Sequence, residues 1–359
     1  MDSNPPEVTR RQALRLLLTA AAIGAGACTS RSARRAAPPP ASSTTTSSAP
    51  PSTTTTTAPP PTTTTTTAPP TTTTTAPPPT TTTTTAPPPA VPAPSGPHPS
   101  GAVAGFVAFG DFGGGLQQGD VAAAMARWAA AHRVDALVTT GDNVYDYGEP
   151  HLFGPHLDEP YRDLRGSRPM WVTLGNHDVA RGHGDAQLAH LGLPALPYAT
   201  ALNGVRLFFL DSNRPDAGQA AWLDQQLAQP GPACSVVVFH APVHSCGLHG
   251  PEASVVAAWE PVLESRKVTL VLNGHDHLYH RFYSAAGVTY VVTGGGGRDL
   301  YPHTNGCNPP ELQASAVRHH FTGVEVFADR LVISAVGIDD SAFDRVELPL
   351  PALVGTPAP

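Results

Sequence analysis

The segment that decides the fold reads Leu272-Asn273-Gly274-His275-Asp276-His277-Leu278-Tyr279. A β-branched, apolar run over residues 268–272 leads into it and predicts a buried strand. Asn-Gly is a turn pair, so both histidines come directly after the predicted strand has ended. Their spacing lets both imidazoles face one cleft at that end of the strand. One such pair is weak evidence, and its weight depends on whether other strands end in the same way.

Four other predicted strands do end in this way. Each one runs into a glycine or a tight turn, and one or two side chains that can bind a metal follow. The segments are Gly110-Asp111, Gly141-Asp142 with Tyr145, Gly175-Asn176-His177, and Phe239-His240 with His249 nine residues further on. In layered α/β domains the functional residues lie at the carboxyl ends of the strands, so the five segments predict one shared site.

The chain around these segments alternates predicted strands with predicted helices. The strands cover residues 103–109, 134–140, 168–174, 205–210, 235–239, 268–272, 288–293, 322–327 and 331–336. The helices cover residues 120–132, 219–227 and 255–264. This order predicts a layered α/β domain with its sheets buried between helices. We assign residues 101–359 to this domain, and we interpret most histidines outside the five segments, including His319 and His320, as surface groups.

We predict that residues 1–35 form an export segment. The pair Arg10-Arg11 precedes a short apolar stretch, residues 16–27, which is too short to span a bilayer comfortably. This order is typical of a twin-arginine signal, so we predict export to the cell surface or the extracellular space. Ala25-Gly26-Ala27-Cys28 is similar to a lipoprotein cleavage site and predicts a lipid on Cys28, the one expected membrane contact. Cleavage without a lipid is the alternative.

Residues 36–100 predict a disordered tether. They are almost entirely Thr, Pro, Ala and Ser, with tracts of five or six threonines. Such a segment cannot bury enough apolar surface to offset its ordering entropy. Extended polyproline II rises about 3.1 Å per residue, so roughly 60 residues reach at most ~190 Å. Thr-Pro repeats often carry O-glycans, which favours a cell-surface stalk, and an unmodified linker is the alternative.

The charge of the domain excludes one class of partner. Of 21 basic and 28 acidic residues, six and two respectively lie within residues 1–35, and the tether holds none. The acidic excess that remains argues against a nucleic-acid partner bound through its phosphates. We expect a monomer. Cys246 and Cys307 both lie in glycine-containing loops near the predicted site, so a disulfide between them and two separate thiols are both open.

The predicted site is rich in oxygen and nitrogen donors. Carboxylates, an amide, imidazoles and a phenol form a mixed set without thiolate, which suits Fe, Mn or Zn. There are too many donors for one tetrahedral ion, and a carboxylate such as Asp142 can bridge two ions. Two ions about 3.5 Å apart form a clamp for in-line attack on a phosphoryl group.

The five segments, in this order, resemble the calcineurin-like metallophosphoesterases, and within them the purple acid phosphatases of the small, mammalian type. The superfamily usually opens with Asp-x-His, but Gly113 stands at the histidine position here. Purple acid phosphatases have instead a tyrosine three residues after the bridging aspartate, which is where Tyr145 lies. The resemblance implies a four-layer αββα sandwich of two mixed sheets flanked by helices.

The resemblance also implies a role for each ligand of the first metal ion. It assigns Fe(III) to Asp111, Tyr145 and His277. Asp142 is expected to bridge this ion and a second one.

The second ion is expected to be divalent, namely Fe, Zn or Mn. The resemblance assigns it to Asn176, His240 and His275. It gives His177 and His249 catalytic contacts with the substrate and its leaving group.

The sequence therefore predicts an acid phosphatase-like enzyme. Its reaction would be hydrolysis of small-molecule phosphate monoesters by a metal-bound hydroxide at a binuclear Fe(III)–M(II) site. A phosphodiesterase or nucleotide hydrolase of the same superfamily would use the same ligands. Peroxide chemistry at an iron pair is a further alternative, and the long tether leaves open a non-catalytic surface-binding protein.

Overall fold

The computed structural model describes residues 100–351, except Ser167 and Ala233. The predicted export segment, its lipid site at Cys28 and the predicted tether up to residue 99 lie outside the described residues, as do residues 352–359. None of the helices within the described range combines the length and the apolar character that crossing a membrane requires.

The strands of the described residues form two mixed sheets. They are β1 (Ala104–Phe109), β2 (Ala136–Thr139), β3 (Met170–Val172), β4 (Tyr198–Leu202), β5 (Val205–Phe209), β6 (Cys234–Val238), β7 (Leu270–Asn273), β8 (Tyr279–Tyr283), β9 (Thr289–Thr293), β10 (Leu312–Ala316), β11 (His320–Val326), β12 (Arg330–Gly337) and β13 (Ala342–Pro349). The six-stranded sheet has the order β13-β12-β11-β1-β2-β3, and the seven-stranded sheet has the order β10-β8-β9-β7-β6-β5-β4. Strands β1 to β3 are parallel, as are β5, β6, β7 and β9.

The helices connect these strands. They are α1 (Gln118–Ala129), α2 (Arg162–Arg165), α3 (Asn176–Val179), α4 (Gly184–His190), α5 (Ala217–Ala228) and α6 (Ala253–Ser265), with a 3₁₀ turn at Pro150–Leu152 and a π-helical turn at Gly154–Asp158.

Alternation of side chains along the strands creates four layers. Phe106 of β1 and Val236 of β6 are buried in one apolar cluster between the two sheets. The neighbouring Val107 points to the other face and belongs to a second cluster with α1. In the seven-stranded sheet, Val237 likewise belongs to a third cluster with Trp259 of α6. Successive strand residues point to opposite faces, so each sheet is covered on both sides, and the expected αββα sandwich is confirmed.

The sequence did not predict four of the strands, β4, β8, β10 and β13. They lack long apolar runs because their side chains are only partly buried or make polar contacts. Arg281 of β8 pairs with Asp344 of β13 at 2.7 Å, and the Tyr279 hydroxyl donates to the same carboxylate at 2.7 Å. Such strands are fixed by contacts distant in sequence, which a local pattern does not show.

Two local predictions need correction. The strand predicted over residues 168–174 is reduced to β3, which begins directly after Pro169, a residue with no N–H to donate to a sheet ladder. The prediction of a surface position is wrong for His320, which is fully buried in β11. Its Nδ1 lies 2.8 Å from the Arg318 carbonyl, and this hydrogen bond allows the imidazole to be buried. The polar residues around His320 in the sequence had favoured an exposed position.

Candidate metal centre

All seven predicted ligands lie beyond the carboxyl ends of parallel strands. They are Asp111 after β1, Asp142 and Tyr145 after β2, Asn176 after β3, His240 after β6, and His275 and His277 after β7. Three strands of the six-stranded sheet and two strands of the seven-stranded sheet thus deliver side chains to one place.

The backbone turns sharply at three of these residues. Asp111, Asp142 and His275 have φ values of 60°, 52° and 73°, in the left-handed region that non-glycine residues seldom adopt. The Asp111 N–H donates to the Gly141 carbonyl at 3.0 Å, so the loops after β1 and β2 hold each other in this shape. Such conformations cost about 1–3 kcal/mol each and cluster at functional sites.

A first group of donors consists of Asp111, Tyr145 and His277. The Tyr145 hydroxyl lies 3.5 Å from Asp111 Oδ1 and 3.2 Å from His277 Nε2. The same imidazole nitrogen lies 3.5 Å from Asp111 Oδ1. His277 Nδ1 is 2.6 Å from the Asp299 carbonyl, which can only accept, so Nε2 carries the lone pair that faces the other two donors. One atom could therefore contact all three side chains.

A second group of donors consists of Asn176, His240 and His275. His240 Nε2 lies 3.1 Å from Asn176 Oδ1 and 3.2 Å from His275 Nδ1. His240 Nδ1 is 2.9 Å from the Thr140 carbonyl, which orients the ring so that Nε2 faces the group. These three side chains also converge on one point.

Asp142 joins the two groups through a single oxygen atom. Its Oδ2 accepts from the Tyr145 hydroxyl at 2.8 Å and lies 3.4 Å from His240 Nε2. Its Oδ1 accepts from the backbone N–H of His177 at 3.0 Å, which fixes the carboxylate. The donor atoms of Asp111, Asp142 and His240 lie within 4.8 Å of one another and could hold a metal ion.

Several acidic oxygen atoms are buried close together at this centre, so their ionised forms lack a neutralising positive charge. Burial, together with Asp142, raises the pKa of Asp111 well above its usual value. Burial and the two carboxylates raise the pKa of Tyr145 in the same direction. Burial disfavours protonated His240, but Asp142 and Asp111 outweigh it and raise the pKa of His240 to about 10. A cation among these atoms would favour the ionised oxygens, so the donor set fits a metal.

The remaining two imidazoles are held neutral. Burial and His240 lower the pKa of His275 to about 3. Burial lowers the pKa of His277 to about 4, although the Asp299 carbonyl acts in the opposite direction. Neutral imidazole is the form that binds metal ions.

Asp178 supports the centre, a role that the sequence patterns do not predict. Its buried carboxylate accepts the backbone N–H groups of Gly175 at 2.8 Å and of Val144 at 2.9 Å. It therefore ties the loop after β2 to the loop after β3. Burial, with Asp142 nearby, raises the pKa of Asp178 to about 6. Its position directly after Asn176-His177 was the one available signal.

The two predicted catalytic histidines lie at the edge of the centre. His177 Nε2 is 4.0 Å from Asp142 Oδ2, the imidazole is partly exposed, and its ring centroid is 4.2 Å from that of Tyr145. The His249 ring lies 4.2 Å from the ring of His275. The two histidines thus flank the donor groups through different neighbours.

The loop that carries His249 is anchored in two ways. Asp276, which lies between His275 and His277 in the sequence, accepts a hydrogen bond from the His249 backbone N–H at 2.8 Å. A disulfide joins Cys246 to Cys307, which the sequence had left open.

Removing this disulfide should destabilise the domain. The bond closes a loop with a sequence separation of 61 residues, and such cross-links typically contribute about 2–4 kcal/mol. We expect Cys246→Ala combined with Cys307→Ala to lower the free energy of unfolding by about that amount in urea titrations. Cys234→Ala, which removes a buried thiol but no cross-link, is the control. Equal losses in the two variants would contradict a stabilising bond.

A glycine run brings a further segment against the centre. The backbone N–H groups of Gly296 and Arg298 donate to the carbonyls of Gly110 and Asp111, both at 3.0 Å. A Cβ on Gly296 would lie 2.3 Å from the Gly110 oxygen, so a side chain there would prevent this approach. Beyond the run, the Tyr301 ring stacks on His277 at 3.9 Å. No local sequence pattern indicates this contact.

Comparison with known proteins agrees with the geometry. Residues 105–279 match the family model described as calcineurin-like phosphoesterase. Purple acid phosphatase 4 of Arabidopsis thaliana is 26% identical over 275 residues, which cover 66% of this chain and 80% of the relative. Human tartrate-resistant acid phosphatase type 5 is 28% identical over 235 residues, which cover 53% of this chain and 72% of the relative.

A solved structure shows the same fold. Purple acid phosphatase PPD1 from yellow lupin (Lupinus luteus) seeds superposes with a TM-score of 0.63 and 16% identity, covering 68% of this chain and 53% of the lupin chain. Residues 105–279, which match the family model, include the loops after β1, β2, β3, β6 and β7. Residues 105–279 therefore form a calcineurin-like phosphoesterase domain, and the chain is a hydrolase of the phosphatase class homologous to the purple acid phosphatases.

Proposed function

We propose that the chain hydrolyses phosphate monoesters at a centre of two metal ions, Fe(III) and a divalent ion. One observation carries this proposal. Asp142 Oδ2 lies 2.8 Å from the Tyr145 oxygen and 3.4 Å from His240 Nε2, so one carboxylate oxygen faces both groups of donors. A shared carboxylate is what a pair of closely spaced ions requires.

The first group suits the trivalent ion. Asp111 and Tyr145 can both be anionic, and anionic oxygen stabilises Fe(III). His277 completes this group with its oriented Nε2. The second group, Asn176 with His240 and His275, offers neutral donors and suits Fe(II), Zn(II) or Mn(II).

The ions, when bound, would neutralise phosphate oxygens and activate the attacking water. The chain's own residues do the remaining work. His177 is partly exposed beside Asp142 and can donate a proton to the departing ester oxygen. Its Nδ1 lies 2.8 Å from the Asp146 carbonyl and must donate to it, so only the protonated, cationic imidazole carries the Nε2–H that this role requires. His249, beside His275 and Tyr301, can donate to a phosphate oxygen.

Substrate turnover tests the proposed activity. We expect protein supplied with iron and zinc to hydrolyse p-nitrophenyl phosphate much faster than bis(p-nitrophenyl) phosphate, measured as kcat/KM at acidic pH. A monoester presents more anionic oxygens to two cations than a diester does. Faster hydrolysis of the bis ester would favour a phosphodiesterase, and hydrolysis of neither ester would favour a non-catalytic binding protein.

Replacement of His177 tests its role as an acid. We expect His177→Ala to lower kcat roughly 100-fold for alkyl phosphates, and much less for p-nitrophenyl phosphate, whose leaving group needs little protonation. His183→Ala is the matched control, because His183 Nδ1 contacts the Tyr147 carbonyl at 2.9 Å much as His177 contacts Asp146. Equal slowing for both classes of ester would contradict the assignment.

We also propose that this domain works outside the cell, at the end of the predicted tether. The Cys246–Cys307 disulfide supports this location, because such bonds persist mainly in oxidising compartments. The twin-arginine pattern of residues 1–35 supports it independently. We propose a monomer that acts on small phosphate esters, with the lipid on Cys28 as its one membrane contact.

A further inference from the structure

Arg298 is a cation at the edge of the centre that the proposed reaction does not use. Its guanidinium carbon lies 4.3 Å from the ring centroid of Tyr145. Its backbone is fixed by the hydrogen bond from its N–H to the Asp111 carbonyl at 3.0 Å. Arg298 therefore contacts two residues of the first donor group, Tyr145 through its side chain and Asp111 through its backbone.

The guanidinium has a weak acidic partner. Its Nη2 lies 3.5 Å from Oδ1 of Asp146, whose side chain is 65% exposed. Exposed ion pairs of this length contribute about 0–1 kcal/mol. An anionic group of a substrate could therefore replace Asp146 at little cost. Guanidinium also has the planar set of donors that suits phosphate.

The position of Arg298 relates it to the leaving group. Arg298 and His177 both contact the ring of Tyr145, and His177 is the residue that we assign to the departing oxygen. Both residues also contact Asp146, His177 through the backbone carbonyl at 2.8 Å and Arg298 through the carboxylate at 3.5 Å. A leaving group that exits past His177 on the side of Asp146 therefore passes close to the guanidinium. A neutral alcohol would gain nothing there, whereas a leaving phosphate would meet a positive charge.

We propose that Arg298 determines specificity, favouring substrates whose leaving group is itself a phosphate. Pyrophosphate is the smallest member of this class. In its hydrolysis water attacks one phosphorus atom, the P–O–P bridge breaks, and the released proton passes to the departing phosphate, which gives two orthophosphate ions. This inference rests on the proposed function, which supplies the position of the scissile phosphoryl group.

The test compares two substrates in the wild-type protein and three variants. The ratio of kcat/KM for pyrophosphate to kcat/KM for p-nitrophenyl phosphate is measured with wild type, Arg298→Met and Arg298→Lys. We expect Arg298→Met to lower this ratio at least 10-fold and Arg298→Lys to restore part of it. Arg181→Met is the matched control, because Arg181 stacks at 4.0 Å on Tyr147 near the same edge, and it should leave the ratio within 2-fold. An unchanged ratio in Arg298→Met would overturn the proposal.

Binding separates this inference from the proposed function. Calorimetry with metal-loaded protein uses methylenediphosphonate, an analogue of pyrophosphate whose P–C–P bridge water does not break. It should show that Arg298→Met raises the Kd of methylenediphosphonate at least 10-fold and that of orthophosphate less than 3-fold. If wild type hydrolyses neither substrate, the proposed function fails, and the calorimetric comparison still decides the role of Arg298. Equal effects on both anions would overturn that role, since Arg298 would then not distinguish a second phosphate.

Discussion

Asp142→Asn should remove both metal ions and lower kcat for p-nitrophenyl phosphate at least 1,000-fold, on the order expected when a two-ion clamp is lost. Asparagine keeps the size of the side chain but removes the charge that both ions would share. Metal content is measured by mass spectrometry of the purified variant.

The control for this variant is Asp163→Asn, which changes an exposed carboxylate in α2. It should retain the metal content and the kcat of wild type. Circular dichroism shows whether the Asp142→Asn protein remains folded, so that metal loss is not confused with unfolding. Two ions per chain in a folded Asp142→Asn protein would contradict the bridging role.

Tyr145→Phe should abolish visible absorption while the fold remains intact. Colour is expected because a phenolate bound to Fe(III) transfers charge to the metal, and phenylalanine has no oxygen to bind. The ring itself should stay in place, because it packs against His177 at 4.2 Å and Arg298 at 4.3 Å. The measurement is the visible spectrum of the variant after reconstitution with iron and zinc.

Tyr147→Phe is the matched control for this change. Tyr147 also stacks on an arginine, Arg181 at 4.0 Å, but this residue is 41% exposed. Its hydroxyl has no assigned role, so the spectrum should match that of wild type. A visible band that survives in Tyr145→Phe would show that the tyrosine is not a ligand.

The convergence of the site could be predicted because each side chain follows a local signal. Asp111, Asp142 and His275 each directly follow a glycine at the end of a strand, and all three adopt left-handed backbone angles. A sequence pattern contains such turns within a few residues. The order of the strands then brings their ends together without further information.

The supporting contacts could not be predicted because they join segments that are distant along the chain. The Asp299 carbonyl orients His277, and the Tyr301 ring stacks on it, yet neither residue follows a strand-end motif. Asp178 lies next to two predicted site residues, but its carboxylate contacts backbone rather than the centre. Its role depends on how two loops pack, which only the folded chain shows.

We infer that two metal ions bind between the donor groups joined by Asp142. The most direct test is the metal content per chain of wild-type protein purified after reconstitution with iron and zinc. We expect two ions per chain, one of them iron. One ion per chain, or none, in the folded protein would contradict this inference.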